Sequence, residues 1–264
     1  MSVLDRFRLD GRRLFITGGS RGLGREMALA IAEAGADAVI VGRDPESLDR
    51  TAADIRARGR QCWTIAADAA TPAGCQAACH AALALGPIDI LINNIGGRRI
   101  DVPIEDQSLA DWQAMIDLNL TSTFLCTKLI GGAMLARTKS GEAKSGRIIN
   151  TASMSGLIAN RGIGGRHYEA AKAAVIHFTR ATAADWAPHG ITVNAILPGY
   201  FMTEPNLRWA RDNPAMIDSI RAAVPIGEPG QPEDLGPLAV YLASDAARYM
   251  TGSALLIDGG YTIW

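Results

Sequence analysis

Arg12-Arg13-Leu14-Phe15-Ile16-Thr17-Gly18-Gly19-Ser20-Arg21-Gly22-Leu23-Gly24 is the stretch from which the rest of the chain is read. Residues 12–17 have the length and apolar centre of a short buried strand. The strand runs straight into glycines at 18, 22 and 24, and an alanine-rich pattern over 21–34, stopped by Gly35, reads as a helix. Strand, glycine-rich turn and helix aim unpaired backbone N–H groups and the positive end of a helix dipole at one place, which suits a phosphate. Glycine is needed there because a Cβ would hold the phosphate off the main chain. The spacing is G-x-x-x-G-x-G and not the commoner G-x-G-x-x-G, so its weight comes from the strand–helix setting.

Asp37-Ala38-Val39-Ile40-Val41-Gly42 is a second strand of buried type. In a dinucleotide fold the end of this strand meets the adenosine ribose, where an acidic side chain takes the 2′-OH and an arginine accommodates a 2′-phosphate. Here the strand ends in Gly42-Arg43-Asp44, and Arg21 from the glycine turn approaches the same place. Two guanidiniums for one dianion favour NADP over NAD. Asp44 is the feature that argues the other way.

Helix and strand patterns keep alternating. Helices are expected over 45–58, 71–85, 108–119, 120–137 and 168–186, and strands over 61–66, 88–93, 147–152, 191–197 and 254–258. This rhythm implies βαβ units, hence one doubly wound α/β domain over 1–264: a parallel sheet of about seven strands with helices on both faces. Residues 1–150 form its cofactor half and 151–264 its catalytic and substrate half, with a substrate loop over about 200–224.

The totals agree with a globular chain. Its 264 residues are 48% hydrophobic and 20% charged, with a net charge of −1, which argues against a general nucleic-acid or anionic-membrane surface. No apolar run approaches the ~18–20 residues of a membrane span, and the first eleven residues lack a secretory apolar core, so a cytoplasmic protein is the default expectation. Cys62, Cys75, Cys79 and Cys126 are too few and scattered for a disulfide framework. Cys75, Cys79 and His80 have a spacing that invites a metal reading, but their alanine-rich setting and the lack of a second ligand cluster lead us to expect none.

Tyr168-Glu169-Ala170-Ala171-Lys172 puts a phenol and an ammonium on one helical face, one turn apart. A tyrosine titrates near ~10 and transfers protons poorly at neutral pH; a neighbouring cation favours the phenolate and corrects this.

With these pieces placed, the chain resembles the short-chain dehydrogenase/reductase family over nearly its whole length, a Rossmann-type fold. The resemblance rests on Thr17-Gly18-x-x-x-Gly22-x-Gly24, Asp68, Asn93-Asn94-Ile95-Gly96, Asn119, Ser153, Tyr168-x-x-x-Lys172, Pro198-Gly199 and Asp258-Gly259-Gly260, in that order. It implies a hydride exchange between a nicotinamide and a carbonyl or secondary alcohol, in which Tyr168 moves the proton and Lys172 lowers its pKa and holds the ribose. Ser153 would bond the substrate oxygen, and Asn119, at a break in a helix, would anchor a water chain. The cofactor contacts it implies are Gly18, Ser20, Arg21, Gly22, Leu23, Gly24, Arg43, Asp68, Ala69, Asn94, Gly96, Pro198, Gly199, Phe201 and Thr203, besides Tyr168 and Lys172. It also implies a homotetramer acting on a small-molecule carbonyl or alcohol.

The chain departs from the family pattern in three places. The usual spacing to the tyrosine would select Ser155; counting from the strand selects Ser153, which we prefer, with two extra residues in the 162–166 loop. Ile95 replaces the usual alanine. Glu169 stands where a small residue is common, and is expected to have little effect because it points away from Lys172. For the substrate, the motifs around 198–204 and 258–264 look most like gluconate 5-dehydrogenase-type members. Arg98, Arg99 and Arg208 suit a carboxylate, while Tyr200, Phe201, Met202 and Trp209 suit an apolar ligand, so a 3-oxoacyl-carrier-protein reductase is the alternative. A catalytically silent nucleotide sensor on the same fold is the alternative of another class.

Overall fold

The computed structural model describes residues 2–160, 163–212 and 214–263, without the side chains of residues 205, 209, 210, 214 and 216. The Trp209 side chain, Gly162 and Trp264, named above, therefore lie outside the described residues. Among the described residues the strands are β1 (Arg13–Thr17), β2 (Asp37–Gly42), β3 (Cys62–Ala66), β4 (Ile90–Asn93), β5 (Gly146–Thr151), β6 (Ile191–Pro198) and β7 (Ala254–Ile257). They form one sheet, ordered β3-β2-β1-β4-β5-β6-β7, and every pairing is parallel. Strand order reverses between β1 and β4, and that switch point opens a crevice at the carboxyl ends of the strands.

Successive residues of the strands feed opposite layers, as period-2 alternation requires. Leu14, Ile16, Ala38, Ile40, Ile90 and Ile92 join one apolar cluster with α1 (Gly22–Glu33), α2 (Pro45–Ala57) and, late in the chain, the helix Leu235–Ala243. Phe15, Val39, Val41 and Leu91 join the other, packed on α3 (Pro72–Ala84) and the helix that follows β4. Short-range chemistry starts the helices where the sequence placed them: Asp44 caps α2 and Thr71 caps α3, each followed by proline.

Two expectations need correction. The pair of helices expected over 108–119 and 120–137 is one continuous rod: α4 (Leu109–Ile116), α5 (Ser122–Cys126) and α6 (Gly132–Lys139), joined by π turns at Asp117–Thr121 and Thr127–Gly131. A π turn absorbs an extra residue without a chain break, so the first carries no glycine or proline, while the second ends at Gly131. The segment after residue 200 is not a plain loop but holds α8 (Glu204–Asp212) and α9 (Pro214–Ala223), ahead of α10 (Leu235–Ala243). Between the rod and this segment runs α7 (Arg166–Trp186), the longest helix among the described residues.

The rod also alters the reading of the cysteines. Cys126 brings its sulfur to 3.3 Å from that of Cys75 and 3.6 Å from that of Cys79, so the pair on α3 does have a third thiol beside it. All three are buried in the apolar layer between α3 and α5, whereas His80 lies exposed outside the group.

A buried ladder of amides and hydroxyls fixes the strand ends beneath the crevice. Asn93 Nδ2 donates to Asn150 Oδ1 at 2.8 Å and Thr127 Oγ1 at 3.1 Å, and Asn150 Nδ2 donates to Thr179 Oγ1 at 2.9 Å. This ladder ties β4, β5, a π turn and α7 into one block.

Candidate active site

At the glycine turn, Gly18 (φ 67°) and Gly22 (φ 56°) hold left-handed backbone that other residues rarely adopt. Gly24 serves packing instead: a Cβ there would lie 2.2 Å from the Gly18 carbonyl oxygen and 2.4 Å from Asn94 Nδ2. Asn94 is the strut of the turn, its Nδ2 donating to the carbonyls of Thr17 (3.1 Å) and Gly18 (3.2 Å). No side chain caps α1 at Arg21, so the N–H groups of its first turn remain for a ligand.

The adenosine end follows from Gly42. A Cβ at that position would meet Ser20 Oγ at 2.7 Å, so the strand end has no room for an acidic side chain. The Asp44 carboxylate is occupied as the α2 cap, accepting from the Ser47 N–H at 3.3 Å and from the Ser47 hydroxyl, which holds its pKa below the usual carboxylate range. Arg21 and Arg43 are exposed, as is Asp68 at the end of β3. Arg99, from the loop after β4, joins them: burial first, then the like charges of Arg43 and Arg21, lower its pKa, while Asp68 opposes this. Ala69 and Phe201 turn their side chains into the core, at 1% and 4% exposure, and Ser20 packs against Gly42.

Two cavities, of about 390 and 660 Å³, meet at Arg98, Ser153, Tyr168, Gly199 and Phe201. The smaller reaches back to Arg21, Gly22, Leu23, Gly24, Asn94, Gly96, Lys172, Pro198 and Thr203, so it is the arm that runs from the glycine turn. The larger is lined by Arg99, Asn160, Met202, Ile217 and Ile220, and opens beneath α9. At Gly199 a Cβ would strike the Asp258 backbone at 2.6 Å, and Asp258 in turn accepts from the N–H groups of Gly260 and Thr262, so the two late motifs brace each other.

Asn119, Ser153, Tyr168 and Lys172 converge from separate elements. Asn119 sits within the first π turn of the rod, where its Oδ1 accepts from Gly97 N at 2.9 Å and its Nδ2 donates to Met115 O at 3.0 Å. Lys172 donates Nζ to the Thr151 carbonyl at 2.7 Å. Gly96 separates the two: a Cβ on it would be 2.8 Å from Asn119 Oδ1 and 3.0 Å from Lys172 Nζ. Ser153 lines both cavities beside Tyr168, its Oγ accepting from Ser155 N at 3.1 Å, whereas Ser155 Oγ is taken by Asn160 Nδ2 at 2.9 Å.

Burial pushes the Tyr168 phenol up, and the Ser153 hydroxyl and the charge of Arg98 oppose this. Lys172 lies 5.8 Å from the ring centroid, and its own burial brings its pKa down to about 8. Arg98 sits over the Tyr168 ring at 4.9 Å and is ion-paired to Glu169 at 3.2 Å. Glu169, expected to have little effect, thus contacts the cavity-lining Arg98 while lining neither cavity itself. That link needs the loops on either side of Tyr168 to meet, which no spacing within one helix reveals. Arg208 pairs with Glu204 on the exposed side of α8.

A glycine turn at a switch point, arginines at the adenosine end and a Ser–Tyr–Lys group across the cleft define a dinucleotide-dependent α/β oxidoreductase. A family model described as enoyl-(acyl carrier protein) reductase matches residues 18–262. The chain is 38% identical to galactitol 2-dehydrogenase (L-tagatose-forming) of Cereibacter sphaeroides over 258 residues, 98% of each protein. It is 37% identical to a 3-oxoacyl-[acyl-carrier-protein] reductase of a Synechocystis species, over 97% of this chain and 99% of that one. Among solved structures it matches a gluconate 5-dehydrogenase from Burkholderia cenocepacia, crystallised with NADP and tartrate, at TM-score 0.89 and 38% identity over the whole of both chains. The chain belongs to the short-chain dehydrogenase/reductase family and is an oxidoreductase of its alcohol–carbonyl class. None of its described helices is long and apolar enough to cross a membrane.

Proposed function

We propose that the protein is an NADP-dependent dehydrogenase/reductase of a polyol or sugar acid, with Tyr168 as the proton-transfer group. The observation that carries this reading is the meeting of Ser153, Tyr168 and Lys172 where the glycine-turn arm opens into the larger cavity. The residues fit NADP: Gly24 and Gly42 leave only main chain and small groups along the arm, Asp44 is engaged elsewhere, and Arg21, Arg43 and Arg99 share one end. When bound, the nicotinamide supplies or accepts the hydride.

The chain's residues do the rest. The hydroxyls of Ser153 and Tyr168 hold the substrate oxygen, and Tyr168 gives up its proton as charge develops there. Lys172, anchored on Thr151 by one N–H, keeps two for the ribose hydroxyls. Asn119 fixes the Gly97 backbone beside it through two hydrogen bonds.

The names of the relatives support the polyol or sugar-acid class. Of the two arginines in the larger cavity, Arg98 is held by Glu169 and Arg99 stands with Arg21 and Arg43 at the adenosine end, so the substrate class rests on the relatives and not on a dedicated carboxylate ligand. The second reading, a 3-oxoacyl-carrier-protein reductase, draws on Met202, Ile217 and Ile220 in the cavity wall and on the Synechocystis relative. A cytoplasmic location and a homotetramer are part of the proposal; Phe124 on α5, 44% exposed and edge-on to Phe178 of α7, leaves an apolar patch that supports self-association.

NADPH and NADH are titrated by fluorescence, then polyols, sugar acids and 3-oxoacyl thioesters are screened with the tighter cofactor. At least tenfold tighter NADPH binding and turnover of a polyol or sugar acid are expected. Turnover of thioesters alone would replace the substrate class, and binding without any turnover would favour the silent sensor.

A further inference from the structure

The first turn of α7 carries a carboxylate that the proton chemistry above leaves unused. The Glu169 side chain is only 12% exposed and gathers donors from three segments. Its Oε1 accepts from Arg98 Nη2 (3.2 Å), Asn160 N (3.0 Å) and Asn160 Nδ2 (3.0 Å), and its Oε2 accepts from Arg166 Nη1 (2.8 Å). Burial works against the charged form, yet the bonds from Asn160 and Arg166 hold the Glu169 carboxyl below its usual range. Arg98 is pinned from the other side as well, donating Nη1 to the carbonyls of Gly164 and Gly165. Held in this way, its guanidinium sits 4.9 Å from the centroid of the Tyr168 ring.

We propose that Glu169 is a positioning residue for Tyr168: it fixes Arg98 against the phenol, and Arg98 then sets how readily the phenol ionises. A cation on the ring at this range stabilises the phenolate. Without Glu169 the guanidinium keeps only the Gly164 and Gly165 carbonyls on Nη1, its Nη2 is released, and it spends less time in this position. No hydrogen bond joins Glu169 to Tyr168 among the described residues, so the carboxylate acts through Arg98. The other charged or titratable groups facing the phenol are Lys172, at 5.8 Å, Arg99 and Asp101 from the loop after β4, and Tyr200 from the loop after β6. His167 accepts the Tyr168 N–H through Nδ1 on the far side of the backbone. The inference rests on Tyr168 as the proton-transfer group.

The ionisation of Tyr168 is read in the cofactor-free protein as phenolate absorbance, each variant minus the same variant carrying Tyr168→Phe. Glu169→Ala is expected to raise the midpoint by about 1 pH unit, Arg98→Met by a similar amount, and the double variant by no more than either. Glu169→Gln keeps an acceptor for Arg98 and should recover most of the shift. In alcohol oxidation the acid limb of kcat should move with the midpoint while KM stays put. An unchanged or lowered midpoint in folded Glu169→Ala, or additive shifts in the double variant, overturns the proposal. Should Glu169→Ala not fold, Arg98→Met decides alone, and an unmoved midpoint overturns it. Retained turnover in Tyr168→Phe would instead sink the proposed function, and the absorbance midpoints would still report whether Glu169 controls Arg98.

Discussion

At the glycine turn the surface offered to a ligand is main chain, with exposed guanidiniums at its far end. On the α7 side it is made of side chains that are themselves held: Lys172 on the Thr151 carbonyl, Asn119 on Gly97 and Met115, Arg98 on Glu169 and two carbonyls. The first region presents shape and charge to a group whose reactive atom is elsewhere. The second must keep protons at set positions, so each of these side chains is held by at least one partner. Substitutions in the two regions should therefore fail differently, in binding on one side and in turnover on the other.

The sharpest separation is expected from Tyr168→Phe. It removes the hydroxyl, preserves the ring under Arg98 and touches nothing in the glycine turn. Turnover should fall by about 10³-fold, within the ~10²–10⁴ range for losing an acid–base group, while NADPH affinity changes less than about threefold. Comparable losses in both quantities would mean that the two regions are not separable.

Gly24→Ala tests the other side. The added methyl would meet the Gly18 carbonyl and the Asn94 amide, both parts of the turn's own frame. NADPH affinity should drop by about 100-fold, and the melting temperature should fall, since backbone cannot yield as a flexible side chain would. Unaltered cofactor affinity would show that the turn does not carry binding.

Lys172 supplies a pH test of the α7 wall. Burial brings its folded pKa to about 8, below the usual lysine value of 10.5 that holds in the unfolded chain. Below pH 8 both states carry the charge, and the folded state bears the cost of burying it. Between about 8 and 10.5 the unfolded chain holds more protons, so stability rises with pH. Cofactor-free wild type should therefore gain on the order of 2 kcal/mol over that window relative to Lys172→Met, measured by denaturant unfolding. Parallel profiles would mean that Lys172 is not desolvated.

The two regions were also unequally legible. Strand, glycine turn and helix are local, and hydrophobic period and turn chemistry place β1, α1 and β2 to within a residue or so. Tyr168 and Lys172 share a helix, so their common face follows from spacing. What escaped depends on tertiary meeting or on geometry that leaves no punctuation. Asn119 sits in a π turn with no helix breaker beside it. Cys126 reaches Cys75 and Cys79 across helix packing. Asp44 is an acidic residue near a ribose position until Ser47 shows it to be a cap. Glu169 points away from Lys172, and only the fold reveals that it points at Arg98. Helices α8 and α9 lie over the cavity where apolar residues were read as ligand contacts.

The smallest effect is expected from Arg43→Ala, and it bears most directly on the comparison. Arg43 is exposed and, among the described residues, no side chain holds it in place, unlike Arg98. A guanidinium contributes to a 2′-phosphate through charge-assisted hydrogen bonds, and two others stand nearby in Arg21 and Arg99. Removing one of three should weaken NADPH by about tenfold, leave NADH unchanged within about twofold, and lose much of its force as salt is raised. Arg21→Ala should behave alike, whereas Arg99→Ala should also disturb substrate KM, because Arg99 lines the larger cavity. If Arg43→Ala weakens NADH as much as NADPH, the arginine shapes the turn and does not read the phosphate. The boundary between a surface that recognises charge and a wall that is built for chemistry would then have to be drawn beyond the end of β2.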